Sequence, residues 1–140
     1  MSKIKTTHYQ FSDREFESQF EQAIFDAKLF NHEAHLRLAW IHIRKYGVEK
    51  AVENITMQLK NYTEELGVKE KYHETVTVAA IRAVNHFIAK SSADCFKGFI
   101  SEHRRLKTNF KDLLDQHYRT DLFASDKARK EYMEPDLLPF

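Results

Sequence analysis

The sequence predicts an all-α fold: a helical bundle of four main helices with shorter C-terminal helices and an extended tail. Three observations carry this. Only three glycines and two prolines occur in the chain, too few punctuating residues for the tight turns of an all-β protein. Apolar side chains recur at three- and four-residue intervals over long stretches, the period of a helix face. The joints between the first four helical stretches are short, which makes sequential helices antiparallel neighbours. A chain of 140 residues is long enough for one proper hydrophobic core, so a single domain over 1–140 is expected, with 1–11 flexible.

Helix one is predicted to start at Ser12-Asp13-Arg14-Glu15, a capping-box pattern in which serine and glutamate each satisfy a free amide. Phe16, Phe20, Ile24 and Ala27 follow at helical spacing, and Asn31 is a cap for the next helix. Helix two runs from about His32 to Tyr46 and stops at Gly47, the residue type that best takes a left-handed conformation. Helix three, about Val48 to Leu66, carries Val52, Ile55, Met57, Leu59 and Tyr62 and stops in the same way at Gly67. Helix four covers about Lys71 to Lys90. A fifth helix, about Ala93 to Leu106, presents Phe96, Phe99 and Ile100, and a short sixth lies in NFKDLLDQHY. After Arg119 the pattern weakens to a short helix at Ser125 to Tyr132. Glu134 precedes Pro135 and is biased to an extended shape, so 133–140 is expected to be an apolar strap packed on the bundle.

Charge bounds the function. Lys and Arg number 22 against 21 Asp and Glu, so no strong field exists to hold nucleic acid or an anionic membrane. No apolar run reaches the length of a membrane span. One cysteine, Cys95, makes no internal disulfide, and no leader pattern is visible, so a cytoplasmic protein is expected, monomeric or homodimeric. Cys95 and Trp40 read as core residues, His8, His86 and His117 as surface or boundary ones, and His103 as a core histidine.

The stretch FNHEAHLRLAWIHIRKYG is the unusual one. At about 100° per residue, His32, His35 and His42 fall with Ala39 and Tyr46 in one sector on the apolar side of helix two, while Arg37, Arg44 and Lys45 lie away from it. Helix four brings a second polar intrusion in KYHETVTV, where His73 and Thr77 flank the buried stripe and Glu74 stands one step round. If helices alternate in direction, two and four are parallel, and His32 and His35 share one end of the bundle with His73 and Glu74. Imidazoles three apart on a helix can chelate one ion, and a third from another helix closes a site of the kind bundle cores hold. The expected metal ligands are thus His32, His35 and His73, with iron or zinc as the ion. Glu74, His73 and Tyr72 are the candidate catalytic groups, and Thr77 and His42 line the cofactor. Two alternatives stay open: a non-catalytic module that binds a small molecule or a protein, with histidines satisfied by hydrogen bonds to Glu74, Thr77 or a tyrosine, and a metal-free enzyme using His73 as acid or base.

Three segments, FNHEAHLRLAW, YHETVT and LFASDKARKEYMEPDLLPF, together resemble a family of small uncharacterised bacterial proteins. Its members show a phenylalanine-led HxxH followed by Leu-Arg-Leu-Ala-Trp, a YHETxT segment and a closing Glu-Pro-Asp-Leu. The resemblance runs from about Phe30 onward. It implies a site at His32, His35, Tyr72, His73, Glu74, Thr75 and Thr77, and more loosely at Tyr118, Ser125 and Asp136, and it implies no particular chemistry. The tail from Glu134 is expected to cover that end of the bundle.

Overall fold

The computed structural model describes residues 4–140, so residues 1–3 of the segment expected to be flexible lie outside the described residues. The described chain is all-helical: α1 Asp13–Glu21, α2 His32–Tyr46, α3 Val48–Glu65, α4 Glu74–Ile88, α5 Phe96–Glu102, α6 Arg105–Thr108, α7 Phe110–His117 and α8 Asp126–Lys130, with single 3-10 turns at His8–Gln10, Ala27–Leu29, Lys69–Lys71 and Leu122–Ala124. No described helix is long and apolar enough to cross a membrane.

Local signals set most boundaries. Ser12 Oγ accepts from the Glu15 amide at 3.1 Å and Glu15 Oε1 accepts from the Ser12 amide at 2.9 Å, the reciprocal pair that starts α1. Gly47 at φ +87° separates α2 from α3, and Gly67 at φ +74° follows α3, conformations that a Cβ would strain. α1 ends earlier than its apolar spacing suggests. Ala23 takes φ +58° and Ile24 turns outward, 62 % exposed. The expected fifth helix is two pieces, α5 and α6, broken at His103 where ψ reaches +58°.

α2 is the central element. Residues 36–43 are all buried, which a helix facing solvent on one side does not do. Arg37 is therefore a correction to the sequence expectation that it faces away from the core. Its guanidinium is buried, donating to the carbonyls of His8 (2.5 Å) and Phe11 (2.8 Å) and pairing with Asp13 (2.9 Å). These bonds hold the segment before α1 against the bundle. His8 is buried as well, its Nε2–H donating to Glu33 at 2.8 Å, so it is not the surface or boundary residue that the sequence suggests. Cys95 also departs from expectation: it is exposed, and its Sγ accepts from the Gly98 amide at 3.4 Å at the start of α5.

α4 has two packed faces. Ile81 and Val84 join the main core with α2 and α3, whereas Ala79 and Ala80 meet Phe110, Leu114, Tyr118, Leu122 and Ala128 in a second cluster. The tail runs along α7: the Leu137 amide donates to the His117 carbonyl at 3.0 Å, and the Phe140 ring stacks on His117 with centroids 4.0 Å apart. Phe140 reaches the C-terminal half of α4 beside Arg82 and His86. The tail therefore does not cover the end that carries His32 and His73, as was expected of it.

Candidate functional site

The cap of α4 places His73. Its Nδ1 accepts from the Val76 amide at 3.1 Å, the role a side-chain oxygen usually plays at this position. The opposite nitrogen donates to the Leu122 carbonyl at 2.8 Å. Both ring nitrogens are committed, one to starting a helix and the other to fastening the 3-10 turn at Leu122–Ala124. Two residues on, Thr75 is fully buried and its hydroxyl lies 2.6 Å from the Ala128 carbonyl, 2.8 Å from the Glu131 carbonyl and 3.0 Å from the Met133 amide. The first turn of α4 is thus the anchor for α8 and the segment after it.

A cavity of about 380 Å³ opens beside that anchor. Asn31 at the cap of α2 and His32 and His35 within it line the cavity together with Tyr72, His73 and Thr77 of α4 and its approach. α2 and α4 therefore begin at the same end of the bundle, the parallel arrangement expected from alternating helices. Phe30, Leu59, Val76 and Phe123 supply apolar wall, and Lys71 stands at the margin. Phe123, Lys71 and Thr63 were not legible as lining residues. Phe123 follows a weakly patterned stretch, and the His73–Leu122 bond together with the packing of Leu122 brings it here.

Most polar groups around this cavity are already satisfied. The Nε2–H of His32 donates to the Leu106 carbonyl at 2.9 Å, with its ring tilted over Phe110. The Tyr72 hydroxyl donates to Glu74 Oε1 at 2.6 Å, and Lys60 Nζ lies 3.5 Å from the same oxygen. Burial, then the hydrogen bond to Glu74, pushes the Tyr72 phenol up, so it stays protonated near neutral pH. Glu74 faces this internal network and does not line the cavity.

His35 is the exception. Its Nε2 is buried with no hydrogen-bond partner, and the Phe30 ring meets it edge-on at 6.0 Å. Burial pushes its imidazole down to about 4, helped by neighbouring His32, so the ring is uncharged at neutral pH. Buried polar atoms are ordinarily paired, which singles out His35 among the groups lining the cavity.

The expected metal set is not assembled. Among the described residues no three His, Cys, Asp or Glu side chains are grouped to hold a metal ion. The physical reason is the hydrogen bonding of His73, which has no lone pair to spare without uncapping α4, so the third ligand is missing even though His32, bonded to Leu106 through one nitrogen, keeps the other free. His42 is a second correction, because it does not line this cavity but a different cleft between α1, α2 and α3. Comparison with family models, curated proteins and solved structures finds no match for the chain. The likeness drawn from FNHEAHLRLAW and YHETVT therefore rests on those motifs alone.

Proposed function

We propose that the cavity between the starts of α2 and α4 binds a small, uncharged, largely apolar molecule whose one hydrogen-bonding group is met by His35. The observation that carries this reading is the buried, unpartnered His35 Nε2 at an aromatic-walled cavity. Ligand pockets commonly combine apolar walls with a few placed polar groups, and Phe30, Tyr72 and Phe123 suit a planar ring. A neutral imidazole donates or accepts according to its tautomer, so it accommodates a phenolic hydroxyl, an indole N–H or a ring nitrogen equally. His73, Tyr72 and Glu74 act as framework in this reading, and turnover is not assigned to them.

The test is ligand-observed NMR with phenol, indole and benzimidazole on untagged protein, alongside His35→Leu and elemental analysis. Saturable binding of at least one probe, lost in His35→Leu while the fold is kept, supports the reading. Binding unchanged by that substitution overturns it. Near-stoichiometric iron or zinc that disappears in His35→Leu overturns it too, and returns the site to the metal-binding assignment.

A further inference from the structure

A second cleft, of about 280 Å³, lies where three helices each turn a polar pair toward one another. Glu17 and Glu21 come from α1, His42 and Tyr46 from α2, and Asn54 and Gln58 from α3. Each pair is four residues apart and so stands on one helix face. No Lys or Arg lines the cleft. Glu17 is buried, and burial pushes its carboxyl up, but hydrogen bonds from Tyr46 Oη (2.5 Å) and Lys45 Nζ (2.9 Å) outweigh this and hold it below the usual range. Lys45 balances Glu17 from outside the lining, and exposed Glu21 leaves the cleft negative.

Two buried atoms here have no partner. His42 is 1 % exposed and Gln58 9 %, yet His42 Nε2 and Gln58 Oε1 make no hydrogen bond. Asn54 Nδ2 lies 3.5 Å from His42 Nδ1, and with that amide donating to Nδ1 the ring proton is placed on Nε2. An open N–H donor and an open carbonyl acceptor therefore share one cleft with two carboxylates. Burial pushes His42 down, so its ring sets no positive charge against a cation.

We propose that this cleft is a second binding site, for a small primary amine that also carries a hydroxyl group. The ammonium donates to Gln58 Oε1 and to the Glu17 and Glu21 carboxylates, and the hydroxyl oxygen accepts from His42 Nε2–H. Charge complementarity selects the ammonium, and the unpaired donor selects the oxygen. The site is independent of the His35 cavity, since the two share no lining residue.

The experiment is an NMR titration of the full chain near neutral pH with 2-aminoethanol, ethylamine and ethylene glycol, following backbone amides and the His42 ring. Saturable shifts at residues 17, 42, 54 and 58 are expected with 2-aminoethanol, about ten-fold tighter than ethylene glycol and several-fold tighter than ethylamine. Glu21→Gln, an exposed change that leaves the fold intact, and Gln58→Leu each weaken 2-aminoethanol about five-fold or more, whereas Asp115→Asn on α7 does not. No saturable shift with 2-aminoethanol overturns the proposal and leaves a hydrated cleft. Equal binding of ethylene glycol, or an equal loss in Asp115→Asn, overturns it as well.

Discussion

His35 and His73 line the same cavity and serve opposite ends. His73 spends both nitrogens on the backbone, while His35 leaves a buried nitrogen unpaired. The difference has a pH signature. Folding favours the uncharged form of His35, whose imidazole falls from 6.5 to about 4, and burial lowers His8 and His42 in the same direction. Between those values the unfolded chain binds more protons than the folded one, so stability is full above about pH 6.5 and is lost as pH falls toward 4. Replacing His35 with leucine removes its share and ends the cost of an unpaired polar atom. Urea unfolding of His35→Leu is expected to be unchanged or up to about 1 kcal/mol stronger at pH 7, with the loss between pH 7 and pH 4.5 smaller by about 2 kcal/mol. A pH profile parallel to that of the parent protein counts against the assignment.

At the scale of elements, boundaries written in local chemistry were legible and those fixed by distant partners were not. The Ser12–Glu15 box, the Asn31 cap and the glycines after α2 and α3 act within a few residues, and each does what its pattern announces. The polar sector of His32, His35 and His42 was legible too, but periodicity gives only direction around a helix. Which neighbour stands opposite His42 depends on how α1 and α3 pack on α2, and that sends it to another cleft. Arg37 was read outward because its angle around the helix sets it, with Arg44 and Lys45, away from the apolar sector, whereas its charge is buried and met by carbonyls from residues 8 and 11. Thr75 is the clearest case of a long-range anchor. Its hydroxyl ties the start of α4 to backbone groups more than fifty residues later. Thr75→Val keeps the shape and removes the hydroxyl. Amide hydrogen exchange is expected to quicken over 122–133 while α2 and α3 keep their protection, with a global loss of about 1–3 kcal/mol. Uniform quickening across the chain is the result that contradicts a local anchor.

For the molecule as a whole, the two clusters on either face of α4 divide the work of the C-terminal third. Leu122, Ala128 and the turn between them close the end that bears the His35 cavity, through His73 and Thr75. The tail closes the other end: besides the Phe140 stack, the His117 imidazole donates to the Leu138 carbonyl at 2.7 Å and Asp136 Oδ1 accepts from the Arg119 amide at 2.9 Å. That division decides what truncation does. Ending the chain after Met133 keeps the Tyr118 hydroxyl on the Met133 carbonyl, at 2.7 Å, but removes the contacts on His117 and Arg119. The shortened chain is expected to lose roughly 1–3 kcal/mol in urea unfolding, with amide shifts concentrated in α7 and the C-terminal half of α4. Resonances of His35, Tyr72 and Thr77 are expected to stay in place, and the affinity for an aromatic probe with them. Had the strap lain over the histidine end, as the resemblance led one to expect, the same deletion would open the cavity and abolish that binding, so one truncation separates the two arrangements.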